Sequence, residues 1–475
     1  MFKFILKQKV YLFLVLMIGM IASCSSDDDM VIGDITSPTG ELTKTIPWDE
    51  TEASISFTAN SAWEASVAEV GTRAATSISW LKITVPKGGA GDVKMPLFLS
   101  KNDNETYREA EVTIKCGEKS VTVTIHQEAN PNAVKMMDVS AISNYSMYIT
   151  PGTWNEGFEK GPDYMLRSDA RWSWWRMKQS EHFFVFWEPG FGDNPNAESV
   201  PEALRVDIDD LLQKAEQFYK TNVEKLGMAT VGQGKSVLDN HKMQIYLLYQ
   251  TDWLATGSGY DDKIGALWVN PSTCKPVGST IGHEIGHSFQ YQVSADKLFT
   301  GEATPIDRAD GSQLVPAGFR YGFGENGAGG CAYWEQCAQW QSFQDYPNEC
   351  FDQEAHYAVW LKNHHRHFNH EFMRYASYWF QYWFTEKHGI ESYARIWKES
   401  KYPEDPLQTY MRIYCNNSLD ALYKDLYVYS AHCADYDFKA VHQYKKEAAI
   451  NYSTKLYKND GYYQVAYTNC PGTTG

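Results

Sequence analysis

The segment over residues 277–290, VGSTIGHEIGHSFQ, constrains the fold of this chain more than any other stretch. Its apolar residues recur at every fourth position, at Val277, Ile281, Ile285 and Phe289. This spacing predicts a helix with one apolar stripe, because residues four apart lie on the same helical face. The rest of the chain must therefore supply a core on which this helix can pack.

The predicted helix also carries two histidines, His283 and His287, which are four residues apart. Their imidazoles would project from one face and converge on a single point, as zinc ligands do. Glu284 lies about 100° around the helix from His283, which suits a base that takes a proton from water without binding the metal. The pattern predicts a catalytic zinc site, and the alternative is a coincidental pair of surface histidines.

Length and charge bound the class of protein. With 475 residues the chain is long enough for two or three domains. Its 59 acidic and 43 basic residues give a net charge of −16, which argues against nucleic acid or an anionic membrane surface as a partner. Aromatic residues make up 15% of the chain, and we expect most of them to fill cores rather than to bind sugars.

The N-terminus has the features of an export signal. Lysines precede an apolar run over residues 10–22, which is too short to remain as a membrane span. The run ends in IAS followed by Cys24, and it resembles the lipobox of bacterial lipoproteins, in which that cysteine is lipidated. The resemblance implies a signal peptide over 1–23, a polar tether over 24–40, and an outer membrane lipoprotein exposed on the cell surface. A plain secretory signal is the alternative.

Eight cysteines remain besides Cys24, and none of them forms a CxxC pair. A cysteine-based zinc site is therefore not expected. An exported chain can form disulfides, but the sequence does not fix which cysteines would pair.

Period-two alternation of apolar and polar residues runs through residues 41–128 and is interrupted by turn sequences such as GG and CGE. This pattern predicts an antiparallel β-sandwich. The segments NSAW at 60–63 and NETYREAEVTI at 104–114 resemble the BACON modules of bacterial surface proteins. The resemblance implies a spacer or a glycan-binding module. We expect a spacer, with Trp63 and Trp80 in its core, and glycan contact is the alternative.

The second half of the chain predicts a different architecture. Residues 129–165 contain several Pro and Gly residues and predict a linker. Residues 166–437 begin with predicted strands and an amphipathic helix and become almost entirely helical beyond Trp340. This order predicts an α+β domain with a largely α-helical C-terminal half. Residues 438–475 change pattern again and predict the start of a further β-module.

A catalytic zinc site needs a third protein ligand and one open position. No histidine occurs in the ten residues after His287, so the third ligand must come from another element. Glu335 is the only acid in a predicted helix over residues 331–340, where an isolated carboxylate among Trp and Ala is costly to bury. Zinc would stabilise it. Glu325, in a Gly-rich loop, is the alternative ligand, whereas the His-rich run over 364–370 predicts a solvated turn.

An HExxH helix followed by a helical Glu resembles the gluzincin metallopeptidases, and HSFQ at 287–290 is similar to the same segment of enhancin-like, mucin-directed peptidases. The resemblance implies a zincin-like domain over residues 166–437, with Glu284 as its catalytic base. It implies the zinc ligands His283, His287 and Glu335. One departure is Gln339, because many gluzincins have an Asp at this position to orient the first histidine.

In zincins the strand before the zinc helix lines the cleft and pairs with an extended substrate. Two predicted strands precede the helix here, at residues 243–249 and 266–270, and a Gly- and Asp-rich loop over 256–265 separates them. The resemblance therefore implies that residues 266–270 form the edge strand. The implied substrate-binding residues are Ala266, Trp268 and Asn270.

These features predict a zinc-dependent metallopeptidase that hydrolyses extracellular proteins or glycoproteins. The oxyanion that develops during hydrolysis needs a donor besides the metal. The candidates are Tyr321, Tyr333, His356, Tyr357 and Tyr375. The alternative from another class is a non-enzymatic adhesive or glycan-binding surface lipoprotein, and a third possibility is a zinc-bearing enzyme that acts on glycans.

Overall fold

A computed structural model describes residues 30–32, 42–70, 78–152, 157–307, 313–314, 331–352, 355–363, 366–435, 437–447, 456–459 and 462–465. Contacts divide the chain into two compact units, Met1–Val134 and Lys135–Gly475. The predicted signal peptide over 1–23 and the lipidation site Cys24 lie outside the described residues. No helix in the described part of the chain is long and apolar enough to cross a membrane.

The first unit is built from β-strands. In chain order the described strands are β1 (Met30–Ile32), β2 (Leu42–Ile46), β3 (Glu52–Ala59), β4 (Trp63–Glu69), β5 (Leu81–Ile83), β6 (Lys87–Gly88), β7 (Gly91–Leu99), β8 (Arg108–Cys116) and β9 (Lys119–Gln127). They form two sheets with the strand orders β1-β3-β7-β5 and β2-β9-β8-β4-β6. Buried residues of both sheets share one apolar core, which includes Phe57, Trp63, Leu97, Val112 and Ile125. The predicted N-terminal β-sheet domain is therefore present.

Two details of the first unit differ from the prediction. β1 pairs with β3 and β2 pairs with β9 in parallel, so the sheets are not purely antiparallel. Neither pair is joined by a hairpin, and only a hairpin forces neighbouring strands to run in opposite directions. The predicted tether over 24–40 also includes β1, which is part of a sheet.

The two tryptophans of the first unit differ in burial. Trp63 is buried and makes an edge-to-face contact with Phe57, with 5.0 Å between ring centroids. Trp80 is only half-buried, and the guanidinium of Arg108 lies over its ring at 4.5 Å. The core prediction is confirmed for Trp63, whereas Trp80 packs at the rim of the core.

The second unit contains a five-stranded mixed sheet. Its strands are β10 (Met177–Gln179), β11 (Phe183–Trp187), β12 (Met243–Leu247), β13 (Ala255–Tyr260) and β14 (Ile264–Val269), in the order β10-β11-β12-β14-β13. The three central strands, β11, β12 and β14, run parallel to one another. At the two edges of the sheet, β10 is antiparallel to β11 and β13 is antiparallel to β14. Every residue of β11 and β12 is buried, as expected for central parallel strands covered on both faces.

Two helices pack with this sheet. α1 (Ile208–Lys220) begins at Asp207, whose carboxylate accepts from the backbone N–H groups of the first turn, and continues into a π-helical turn over Thr221–Lys225. α2 (Ser279–Phe299) contains the HEIGH sequence and packs on α1, β13 and β14. Three residues of its predicted apolar stripe, Ile281, Ile285 and Phe289, have no exposed surface, whereas the fourth, Val277, is buried just before the helix begins.

Beyond α2 the described chain is mostly helical. Short strands β15 (Ile306–Asp307) and β16 (Gln313–Leu314) precede α3 (Ala332–Ser342), α4 (His356–Asn363), α5 (Trp379–His388), α6 (Ser392–Glu399), α7 (Pro406–Tyr414), α8 (Leu419–Asp435) and α9 (His442–Glu447), and a hairpin of β17 (Leu456–Asn459) and β18 (Tyr462–Val465) follows. The prediction of a mixed domain with a helical C-terminal half is therefore confirmed. α7 begins with a capping box at Asp405 and Gln408.

Two predicted boundaries are wrong. The predicted linker over 129–165 instead contributes Ile142, Tyr148 and Phe158 to the core of the second unit. The predicted boundary after residue 437 cuts through the same core, because Phe438 and Val441 are buried in it. Residues 129–165 show no regular period in the sequence and residues 438–475 predict strands, but apolar side chains of both segments are buried in this core all the same.

The predicted position of the edge strand is also wrong. β14, which contains most of residues 266–270, is hydrogen-bonded on both sides, to β12 and to β13. The edge strand next to β14 is β13, which covers residues 256–260, half of the predicted loop over 256–265. Its sequence, ATGSGY, has the composition of a loop because two glycines are needed where the strand meets α2.

The seven cysteines in the described part of the chain are all free thiols. Five of them are buried, and burial raises the pKa of the Cys274 and Cys337 thiols to about 12. They behave as small apolar core residues.

Candidate metal centre

Helices α2 and α3 bring the three predicted ligands together. The Nε2 atoms of His283 and His287 lie 3.1 and 3.0 Å from one oxygen, Oε2, of Glu335. One ligand atom from each of the three residues falls within 4.8 Å of the others. The two imidazoles are 4.6 Å apart between centroids and nearly perpendicular, so their edges meet at the carboxylate. The spacing of four residues and the single helical acid thus predicted a real cluster.

The second nitrogen of each imidazole is held by an amide. Nδ1 of His283 lies 3.0 Å from Oε1 of Gln339, and Nδ1 of His287 lies 3.0 Å from Oε1 of Gln290. An amide oxygen can only accept, so each Nδ1 must donate its proton. Nε2 of each ring faces the Glu335 carboxylate, so in the metal-free chain it must share a second proton with that oxygen, and a bound metal ion would take the place of these protons.

The charges in the cluster depend on one another. Burial disfavours the ionised form of Glu335, but hydrogen bonds from both imidazoles outweigh it and hold its pKa well below the usual range. Burial likewise disfavours protonation of His283, and the hydrogen bond with Glu335 outweighs it and raises the pKa of His283. Positive charge on the imidazoles therefore stabilises the carboxylate anion of Glu335.

Glu284 is buried beside the cluster and contacts the edge strand. Its Oε2 accepts a hydrogen bond from the backbone N–H of Gly257 on β13, at 2.5 Å. A Cβ atom at Gly257 would overlap the carbonyl oxygen of Glu284, so only glycine allows the strand to approach α2 this closely. The carboxylate is thereby placed next to the ligands without being one of them.

The cluster lies in a cleft of about 820 Å³. Its lining includes Ala255 and Gly257 of β13 and His356 of α4. Tyr375 donates a hydrogen bond to Oε1 of Glu335, at 3.1 Å, and stacks on His356 with 5.3 Å between centroids. Trp253, which is 68% exposed, stands among the lining residues.

Two groups on the wall of the cleft have shifted pKa values. Burial, together with the nearby His283, lowers the pKa of His356 to about 4. Burial, together with the Glu335 carboxylate, raises the pKa of Tyr375 to about 12. At neutral pH both are therefore uncharged, and both retain a proton that they can donate.

The structure narrows the predicted oxyanion donors. Tyr333 and Tyr357 are fully buried in the core and do not line the cleft. Tyr321 lies outside the described residues. His356 and Tyr375 are the two candidates whose side chains line the cleft.

The three predicted substrate-binding residues do not line the cleft. Ala266 and Asn270 are buried, and the Asn270 side chain accepts from the backbone N–H of Leu254. Trp268 stacks on Tyr246, with 5.5 Å between centroids. This prediction is wrong because β14 is an internal strand of the sheet. Residues of β13 line the cleft instead.

The rival ligands do not join the cluster in the described part of the chain. Glu325 lies outside the described residues. In the His-rich run, His367 and His370 are exposed and contact Asn369 and Arg366, in agreement with a solvated turn.

Two features of the site were not predicted. Gln290 lies one turn after His287, and this spacing of three residues on a helix could have indicated the contact between them. Trp253 follows β12 in a short connection, and nothing in the local pattern marks it as a cleft residue.

Comparisons with known proteins place the chain in families. The fold and site define a protein with an N-terminal β-sheet unit and a mixed α/β unit that carries a His-His-Glu cluster. A model described as "Family of unknown function (DUF6055)" matches residues 131–475, and the chain belongs to this family. A second model, BACON, described as "Putative binding domain, N-terminal", matches residues 67–128. The predicted BACON module is therefore confirmed.

Similar solved structures are distant. A protein from Bacteroides thetaiotaomicron solved by NMR is 16% identical over 21% of this chain and 98% of its own, with a TM-score of 0.15. A GH5 xyloglucanase from Bacteroides ovatus, in complex with a XXXG heptasaccharide, is 14% identical over 54% of this chain and 61% of its own, with a TM-score of 0.16. The E. coli chaperone DraB is 12% identical over 20% of this chain and 55% of its own, also at 0.16.

The chain thus spans less than two thirds of the xyloglucanase and of the chaperone. No curated protein matches it. TM-scores this low carry no argument about the site, so its chemistry must be derived from its own residues.

Proposed function

We propose that the cleft is the active site of a zinc-dependent hydrolase, and that the enzyme is a metallopeptidase. The observation that carries the proposal is the convergence of three acceptor atoms at one point. Two imidazole nitrogens and a carboxylate oxygen meet at 3.0–3.1 Å, which requires protons between them in the metal-free chain, and a metal cation in the place of these protons would bind all three atoms. Two His and one Glu with an open position form a common set of ligands for catalytic zinc.

The spacing of these atoms supports the assignment. Ligand bonds of about 2.0–2.1 Å in a tetrahedral site place neighbouring ligand atoms about 3.3 Å apart. The two distances from imidazole nitrogen to carboxylate oxygen, 3.1 and 3.0 Å, are close to that value. Bound zinc would supply a Lewis acid that polarises the scissile carbonyl and lowers the pKa of water toward about 7.

Glu284 is proposed as the general base. One of its oxygens is held by Gly257, which leaves the other free to accept a proton from the attacking water. Breaking the peptide C–N bond requires a proton at the leaving nitrogen, and the protonated Glu284 would return the same proton there. His356 and Tyr375 face the same space and, being neutral donors, would stabilise negative charge on the carbonyl oxygen.

The edge strand supports a peptide as the substrate. Because Gly257 directs its N–H away from β14, the backbone groups of alternate residues on β13, including Ala255, also point outward. An extended peptide could pair with this edge beside the cluster. An antiparallel edge strand next to the metal-binding helix is also the arrangement expected of a zincin-like fold.

We further propose that the enzyme acts outside the cell, on extracellular proteins or glycoproteins, while attached to the outer membrane through a lipid on Cys24. The lipobox-like sequence and the BACON module support this placement. The BACON module is then a spacer, with glycan contact as its other candidate role.

Two measurements test the enzyme proposal. Purified protein should contain one tightly bound zinc per chain, and His283→Ala should remove it. Glu284→Gln should retain zinc and lose at least about 1000-fold of the peptidase activity found in a cleavage screen of proteins and glycoproteins, because the base is gone. Glu349→Gln, which changes a carboxylate in the same cleft outside the cluster, serves as the control and should keep the activity.

The same measurements separate the alternatives. A chain that binds no zinc would contradict the hydrolase and favour a non-enzymatic adhesive or glycan-binding protein. A zinc protein that cleaves glycans but no peptide bond would show that the enzyme acts on sugars instead. Activity that survives Glu284→Gln would refute the assigned mechanism.

A further inference from the structure

A chain of three buried amides leads from the end of α1 to the ligand His287. Gln290 Nε2 donates to Oε1 of Gln341 at 2.8 Å, and Gln341 Nε2 donates to Oδ1 of Asn222 at 2.5 Å. Asn222 belongs to the π-helical turn that follows α1. We call Gln290, Gln341 and Asn222 the amide relay. All three side chains are at most 2% exposed.

Backbone carbonyls fix the direction of each amide in the relay. Gln290 Nε2 also donates to the carbonyl of Trp334 at 3.2 Å, Gln341 Nε2 to that of Gly286 at 3.4 Å, and Asn222 Nδ2 to that of Phe218 at 2.9 Å. A carbonyl can only accept. Turning any one amide over would therefore set an oxygen against a carbonyl oxygen in a dry interior, which costs about 1–3 kcal/mol per unsatisfied group.

The contacts of Gln341 favour a single orientation of its amide. Oε1 of Gln341 accepts from Tyr393 as well as from Gln290, at 2.8 Å each, so both of its lone pairs are used. A Cβ atom at Gly286 would lie 3.1 Å from that same oxygen. The glycine within the HEIGH sequence thus provides the space in which Gln341 reaches α2.

From this geometry we propose that the amide relay sets the tautomer of His287. With every other hydrogen bond of Gln290 committed, its Oε1 must face Nδ1 of His287 and accept a proton from it. Nδ1 therefore keeps its proton, and Nε2 is the nitrogen that faces Glu335 and that a metal ion would take. Gln290, Gln341 and Asn222 are positioning residues, and the proposal rests on the proposed zinc site.

The test compares two buried glutamines. Gln290→Met removes the acceptor for His287, and Gln381→Met removes an amide of equal burial that bonds to Gln336 on the other side of α3. In the metal-free full chain, nitrogen NMR with labelled histidine reports which ring nitrogen of His287 carries the proton, and His287→Gln assigns the signal. Chelator competition gives the zinc dissociation constant.

We expect the native chain and Gln381→Met to keep the proton on Nδ1 of His287, with equal zinc affinity. Gln290→Met should give mixed tautomers and about 10–100-fold weaker zinc binding, the usual effect of losing such a partner. Asn222→Ala, three hydrogen bonds from the histidine, should weaken zinc binding several-fold in the same direction, and it keeps the test open if Gln290→Met does not fold.

A folded Gln290→Met or Asn222→Ala chain that keeps a single Nδ1–H tautomer and native zinc affinity would overturn the relay while leaving the zinc site intact. A native chain that takes up no zinc would instead refute the proposed function. The tautomer measurement on the metal-free chain tests the relay in that case, because it needs no metal. The two failures are thus distinguishable.

Discussion

Glu335 is the residue on which the charge balance of the site depends. One of its oxygens accepts from both imidazoles and the other accepts from Tyr375, so in the metal-free chain a single half-buried carboxylate uses three donors. Its isolation among apolar residues in the sequence was the signal that identified it. The amide partners of the imidazoles gave no comparable signal. The sequence around a buried glutamine does not show whether its side chain contacts a metal ligand.

The shifted pKa values predict how the metal-free chain responds to pH. The lowered pKa of Glu335 gives stability that is present above about pH 4.3 and is lost as the pH falls toward the folded pKa. The raised pKa of His283 gives stability that is present below about pH 6.5 and is lost as the pH rises through the folded pKa. The interaction is therefore strongest between these two limits.

We expect the melting temperature of the metal-free chain to fall between pH 6 and 8 by roughly 2–4 °C more than that of Glu335→Gln. Glutamine removes the charge that raises the pKa of His283, so the variant should lose less over this interval. Thermal unfolding of both proteins in a chelator measures the difference, with Glu349→Gln as the reference. If the melting temperatures of the native chain and Glu335→Gln fell equally over this pH interval, the coupling between the two charges would be contradicted.

At the scale of elements, α2 and β13 form the site together. The helix supplies the histidines and Glu284, and the strand approaches so closely that its Gly257 N–H reaches the Glu284 carboxylate. Sequence periodicity predicted α2 well, because a long amphipathic stripe is a strong signal. It missed β13, because the glycines that allow close approach remove the side-chain alternation by which a strand is recognised.

Gly257→Ala should therefore damage the site. The added methyl group would force β13 and α2 apart, at an expected cost of about 1–3 kcal/mol in the free energy of unfolding, and should lower turnover more than zinc binding. Urea unfolding and zinc content measure the two effects. Gly278→Ala at the start of α2 is the control, since its Cβ meets no atom closer than 3.8 Å. Equal free energies of unfolding for the two variants would show that glycine is not required at position 257.

At the scale of the whole molecule, the two units have separate cores. Alternation in the first unit and helical spacing in the second predicted the order of architectures correctly. The boundaries could not be predicted, because residues 135–165 pack through scattered aromatic side chains without a regular period. Tyr148, for example, contacts Trp174, Phe184 and Phe186 in the core of the second unit.

This difference can be tested by shortening the chain. A fragment of residues 135–475 should unfold cooperatively and bind zinc as the full chain does, because it keeps its complete core. A fragment of residues 166–475 lacks Ile142, Tyr148 and Phe158, and losses of about 3–5 kcal/mol per large side chain would exceed the stability of a typical domain. Circular dichroism melts compare the two fragments. A stable shorter fragment would restore the linker assignment.

Gly286, between the two histidines of the HEIGH sequence, is useful in searches of genome sequences. Since a Cβ atom there would lie 3.1 Å from Oε1 of Gln341, any residue larger than glycine at position 286 would have to displace that amide by a few tenths of an ångström. The combined signature HExGHxxQ with a later ExxxQxQ, here formed by Glu335, Gln339 and Gln341, should pick out chains whose histidines are supported by neutral amides. Screening sequenced bacteria for it would sort them from relatives that carry an acid in that supporting role.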